Sequence, residues 1–114
     1  MAAEILRILV AIEPYMYREV VGFYFSKQRP QAEIVLATSE KLWDEIERTK
    51  PHLVVANSVP SELKEKLNWV EVRNDEQIVA TINADGYYGT IHDVSMEGLL
   101  VAVEKAEEDL AHES

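Results

Sequence analysis

The sequence predicts an α/β fold, a three-layer, doubly wound, mostly parallel sheet with helices on both faces. Three observations carry that expectation. Apolar, β-branched runs alternate with stretches of helical periodicity through the first half of the chain. One run, Leu53-Val54-Val55-Ala56, is unbroken and sits between Pro51 and Pro60, as expected of a strand buried on both faces. At the far end Met96, Leu99, Leu100, Val103, Ala106 and Leu110 recur at helical spacing, with Ser95 placed to cap them.

The elements follow in order. Leu6 to Ile12 reads as a first central strand ending at Glu13-Pro14, and proline favours the first turn of a helix. That helix is expected over Tyr15–Gln28, with Val20, Val21, Tyr24 and Tyr17 facing inward. Five of the nine aromatic residues fall between Tyr15 and Phe25, enough for core packing with some left for a surface patch. Arg29-Pro30-Gln31 ends the helix, and Ala32–Ala37 is a second strand. Thr38 or Ser39 caps a second helix over Glu40–Thr49, with Leu42, Trp43 and Ile46 inward.

Past Asn57, Ser61 opens a short helix with Leu63 and Leu67 four apart. Trp69–Arg73 alternates like a half-exposed strand, Gln77–Ile82 is strand-like, and Asn83-Ala84-Asp85-Gly86 is a turn before a last strand at Tyr87–Ile91. A hairpin thus stands where a regular β-α-β repeat would place a helix. Right-handed crossovers place helices on both faces of the sheet. No linker or repeat interrupts the 114 residues, so one domain, 1–114, is expected.

Composition narrows the function. With 21 acidic and 11 basic side chains the net charge is −10, which repels phosphate backbones and anionic membranes. Direct nucleic-acid binding and membrane association are not expected. The absence of cysteine removes disulfides, thiolate metal sites and cysteine nucleophiles. No apolar stretch approaches the roughly 20 residues of a membrane helix, and the N-terminus lacks a signal-peptide pattern, so a cytoplasmic protein is expected. His52, His92 and His112 are scattered without a second ligand at metal spacing, although Glu13, His92 and Asp93 form a weak candidate set for a cation. There is no nucleophile elbow and no phosphate-cradling glycine loop, so no metal, nucleotide or other cofactor is expected.

In an open α/β sheet, ligands sit past the carboxyl ends of the central strands, which directs attention to Asn57. Three stretches in order resemble the receiver domain of bacterial response regulators, in a degenerate form. They are Glu13-Pro14-Tyr15-Met16-Tyr17-Arg18-Glu19 after the first strand, Pro51-His52-Leu53-Val54-Val55-Ala56-Asn57 with Pro60, and Gly86-Tyr87-Tyr88 followed by Asp93–Leu99. The resemblance implies a five-stranded, mostly parallel, flavodoxin-like sheet in the order 2-1-3-4-5 with the fourth helix lost or replaced by a strand or hairpin. It places the family's acidic pair on Ala11 and Ile12, its phosphoacceptor on Asn57, and its lysine near Thr90 to His92, where there is none. Phosphoryl transfer needs a divalent cation, a carboxylate nucleophile and a cation on the developing charge, and all three are missing.

The resemblance therefore implies a non-phosphorylatable pseudo-receiver, not an enzyme, acting through protein contacts in bacterial signalling or transcription control. Its expected surfaces are Tyr15, Phe23 and Phe25 in the first helix and Tyr87, Tyr88 and Met96 near the last, with a homodimer or a protein partner on them. The alternative is a small-ligand or ion sensor using a vacated pocket of Ala11, Glu13, Asn57, Ser58, Thr90 and His92.

Overall fold

A computed structural model describes residues 4–74, 78–92 and 95–113. The elements run β1 (Arg7–Ala11), α1 (Tyr15–Gln28), β2 (Glu33–Leu36), a 3₁₀ turn (Ser39–Lys41) leading into α2 (Leu42–Thr49), β3 (Leu53–Ala56) and α3 (Ser61–Lys64). They continue with β4 (Asn68–Asn74), β5 (Ile78–Ala84), β6 (Tyr87–His92) and α4 (Met96–Glu113).

All six strands join one sheet in the order β2-β1-β3-β4-β5-β6. β1 pairs parallel with β2 and β3, and β3 pairs parallel with β4. β5 then runs antiparallel to β4, and β6 antiparallel to β5. The α/β class is as expected, but the sheet has six strands and is mixed, in place of the five mostly parallel strands of the receiver pattern. The physical reason lies in the connections. A parallel crossover needs a dozen or more residues, and only three separate β4 from β5. The β5–β6 link is the pair Asp85 (φ 48) and Gly86 (φ 79), both in the left-handed region, as a two-residue hairpin of the primed type requires.

The core has two layers. Ile8, Val10, Leu53, Val55, Val70, Ala80 and Ile82 point to the face covered by α1 and α4, where Val21, Phe25, Leu99 and Val103 meet them. Leu9, Ala11, Val54, Ala56 and Trp69 point to the other face, against Leu42 and Ile46 of α2. Alternate residues of β1 and β3 thus serve opposite layers, which is why these strands read as unbroken apolar runs. β4 departs from the half-exposed strand expected for it: Trp69, Val70, Glu71 and Val72 are all buried.

α1 occupies the expected residues but is rotated. Its buried positions are Arg18, Val21, Gly22 and Phe25, whereas Val20 is 49% exposed. Phe25, expected on the surface, is fully buried. Two contacts set the rotation. Arg18 Nη1 donates to the Ala37 carbonyl at 3.0 Å, which draws that side chain inward. Gly22 lies so close to β2 that an added Cβ would come within 2.6 Å of Leu36 Cδ2.

Polar side chains fasten the ends of the sheet. Arg7 donates from Nε and Nη2 to the Thr49 and Lys50 carbonyls at 2.9 Å each, closing the C-terminus of α2 with a cation where the helix dipole favours one. Asn68 donates to the His52 carbonyl (3.2 Å) and to Asp109 Oδ2 (3.0 Å), and accepts the Asp85 N–H (3.1 Å), tying β4 to the hairpin turn and to α4. Ser95 Oγ accepts the Gly98 N–H at 3.1 Å and caps α4 as expected, whereas Ser61 makes no such cap for α3.

Candidate functional site

Four parallel strands, β2, β1, β3 and β4, end on one side of the molecule, and the polar groups there form three linked sets. Glu13, the residue after Ile12, turns its carboxylate toward α1 and the β2–α2 loop. Its Oε2 accepts from Arg18 Nη1 at 3.0 Å, from the Ser39 N–H at 3.0 Å and from Ser39 Oγ at 3.4 Å. The arginine side chain is 9% exposed and the carboxylate 45%, so the pair sits at the rim with its cation inside. Arg18 also lies 5.1 Å from the centre of the Tyr15 ring. Tyr15 in turn donates its hydroxyl to Glu19, and that hydrogen bond raises the tyrosine above its ordinary ionisation range.

Asn57 is the second set. Its Oδ1 accepts the Glu13 N–H at 2.7 Å, and its Nδ2 donates to the Val72 carbonyl at 3.0 Å and the Glu13 carbonyl at 3.4 Å. The third set is around Glu71, buried in the middle of β4 opposite Ala56, the last residue of β3. One carboxylate oxygen accepts the Val59 N–H at 2.8 Å, and the other accepts Lys64 Nζ at 3.1 Å. Lys64 lies 4.7 Å from the centre of the Trp69 ring, whose Nε1–H donates to the Lys64 carbonyl at 3.1 Å.

These bonds decide what the groups can do. A general acid or base must reach a substrate proton, and a nucleophile needs a base beside it. Here both oxygens of Glu71, the amide of Asn57 and Oε2 of Glu13 make hydrogen bonds to the chain itself, while the Glu13 side chain stays 45% exposed. Among the described residues no buried side-chain polar atom lacks a partner, and no three His, Asp or Glu side chains come together to hold a metal ion. The arrangement stitches strands and loops together.

The expected pocket is not assembled. Ala11 and Ile12 are core residues, 0% and 2% exposed. Glu13 and Asn57 do meet, and Ser58 is exposed beside them. Thr90 and His92 stand on β6, three strands from β3, about 14 Å away by strand spacing. The intervening β4 and β5 separate them from Asn57. Asp93 lies outside the described residues. Of the expected contact residues, Tyr15, Phe23 and Tyr88 are well exposed (61%, 66% and 69%), Tyr87 is 40% exposed, and Met96 is half-buried against the core.

Sequence reading missed Arg18, Ser39, Lys64 and Glu71. A signal existed for the first: Arg18 falls at i, i+3, i+7 with Val21 and Phe25, and a charge on an apolar stripe calls for a buried partner. A cleft of about 540 Å³ opens at the opposite, amino end of the strands, lined by Leu6, Pro30, Ala32 and Leu110. Arg29 and Glu107 close its side with a two-pronged pair at 2.7 and 3.0 Å, and that hydrogen bonding raises the guanidinium above its usual value.

No protein-family model matches the chain, and no curated protein matches it in sequence. Solved structures do match its shape. A variant of HypX from Aquifex aeolicus superposes over 97% of this chain and 28% of its own, with a TM-score of 0.57 and 14% identity. A second HypX variant gives 0.56. Methionyl-tRNA formyltransferase from Clostridium thermocellum superposes over 96% of this chain and 66% of its own, with a TM-score of 0.52 and 9% identity. The chain therefore spans under a third of HypX and about two thirds of the formyltransferase. At these identities the likeness shows the fold, that of formyltransferase-type domains. It overturns the resemblance to response regulator receivers and the signalling role read from it. The reason is topological: the receiver-like stretches mark ends of central strands, which this fold shares, whereas the antiparallel β5–β6 pair does not belong to a receiver sheet.

Proposed function

We propose that this domain works by binding rather than by chemistry, as a docking unit for a basic, amphipathic helix of a protein partner seated on the outer side of α1 beside α4. The observation that carries this reading is that α1 is apolar on both sides. Val21 and Phe25 fill the core, while Met16, Val20 and Phe23, at i, i+4 and i+7, form a stripe on the outside, 69%, 49% and 66% exposed. A helix that is apolar all round belongs in an interior, and the sheet covers only one side of this one. A stripe at that spacing matches the apolar face of another helix.

The charge of the occupant follows from the neighbourhood. α4 packs on the same sheet face as α1 and turns Glu97, Glu104 and Glu108 to solvent. Lys27, 5.5 Å from the centre of the Phe23 ring, is a cation at the end of the stripe. With a net charge of −10, the domain attracts lysine- and arginine-rich flanks and repels acidic ones. Formyl transfer, the activity in one neighbour's name, has less support. It would draw on acids, bases or amides free to meet a substrate at the strand ends, and Asn57, Glu71 and Oε2 of Glu13 are held by groups of the chain.

Fluorescence anisotropy with two labelled helical peptides tests the reading, one with lysines and one with glutamates on its polar face. The lysine peptide is expected to bind, the glutamate peptide not, and Phe23→Glu to weaken binding at least ~10-fold, as loss of a central apolar anchor does. Equal binding by wild type and Phe23→Glu, or no binding of either peptide, contradicts it.

A further inference from the structure

The two edges of the sheet are built differently. β2, at one edge, is four residues long and carries an exposed glutamate, Glu33, both of which discourage pairing with another strand. β6, at the other, is six residues of Tyr87-Tyr88-Gly89-Thr90-Ile91-His92 with no Lys, Arg, Asp, Glu or Pro. α4 lies over β3, β4 and β5 and reaches β6 from the sheet face, where Gly98 lies close to Ile91 and Lys105 Nζ is 5.9 Å from the centre of the Tyr87 ring; no strand pairs with the outer side of β6 among the described residues. Natural edge strands are often defended by charge, proline or a bulge, and β6 has none of these within its six residues.

The direction of its backbone groups follows from the hairpin. In a two-residue hairpin the flanking pair, Ala84 and Tyr87, exchanges both hydrogen bonds, and the pattern alternates from there. Gly89 and Ile91 thus bond inward to Ile82 and Ala80. Tyr88, Thr90 and His92 direct their N–H and C=O groups away from the sheet.

We infer that β6 pairs antiparallel with β6 of a second copy, joining two six-stranded sheets across a two-fold axis at Thr90. The register is self-complementary. Thr90 faces Thr90 of the second copy, and Tyr88 faces His92 of the second copy on both sides of the axis. Threonine pairs and aromatic pairs are among those that stabilise facing strands. Two copies that each carry −10 repel, and β6, which has no charged side chain, is an edge at which that repulsion is small.

Sedimentation equilibrium over a wide concentration range tests the pairing. The wild-type mass is expected to rise from 13.0 kDa toward twice that value. Thr90→Lys places two ammonium groups opposite each other, and Thr90→Pro removes an outward N–H at a position where an edge strand tolerates proline. Both are expected to remain at the monomer mass while melting cooperatively, and Thr90→Val, which keeps the N–H, is expected to dimerise. A wild-type chain that stays monomeric at every concentration overturns the inference and leaves the edge to a strand of another protein. So does a Thr90→Lys chain that dimerises like wild type, and so does a dimer lost on Phe23→Glu but kept in Thr90→Lys.

Discussion

The side-chain oxygen of Asn57 accepts the backbone N–H of Glu13 at 2.7 Å, so the end of β3 holds the turn that leads from β1 into α1. The nitrogen of the same amide donates to the Val72 carbonyl of β4 at 3.0 Å. One side chain therefore links three adjacent strands at their carboxyl ends. Asn57→Asp preserves the shape but turns an oxygen toward two carbonyl oxygens in place of the donor. The expected cost is about 1–3 kcal/mol. Urea unfolding reads it as a lower midpoint with an unchanged slope. An aspartate variant as stable as wild type would show that the amide donor contributes nothing.

Lys50 ends α2 in the left-handed region (φ 48), with its N–H bonded to the Ile46 carbonyl at 3.0 Å. That conformation costs a side-chain-bearing residue energy that glycine does not spend. Lys50→Gly is expected to stabilise the domain by about 0.5–1 kcal/mol, after the greater chain entropy of glycine is subtracted. Thermal melts report this as a rise of a few degrees, whereas a fall would mean that the lysine side chain holds a contact of its own.

The hydrogen bond from Arg48 holds the Glu45 carboxyl below its usual ionisation range. A carboxylate with a lowered folded value adds stability above its ordinary range and loses it as pH falls through the folded value. Glu45→Gln is therefore expected to melt slightly below wild type at neutral pH. The two chains are expected to converge in acid. Melting curves across that span check the sign, and a gap that widens in acid reverses it.

Local physics was legible in the sequence and long-range pairing was not. α1 falls on Tyr15–Gln28 and β3 on Leu53–Ala56, where periodicity, prolines and apolar runs placed them. These signals are carried by neighbours in the chain. The sequence also held the Asp85-Gly86 turn, but a turn does not say which sheet edge its strands extend. The residue pattern before Asn57 belongs to any central strand of an open α/β sheet, so it supported the fold class and misdirected the family. The strand-end set escaped because Glu13, Arg18 and Ser39 meet only once α1 has rotated, and that rotation depends on Gly22 and Leu36 from separate elements.

On the proposed reading, the outer side of α1, and not the strand-end crevice, is where this domain meets its ligand. Backbone amide shifts recorded during titration with the lysine-rich amphipathic peptide test it most directly. Shifts are expected only at Met16, Val20, Phe23 and the neighbouring exposed positions of α4, with Glu13, Asn57 and Ser58 unmoved. Shifts gathered on Glu13, Asn57 and Ser58, with α1 silent, would contradict it.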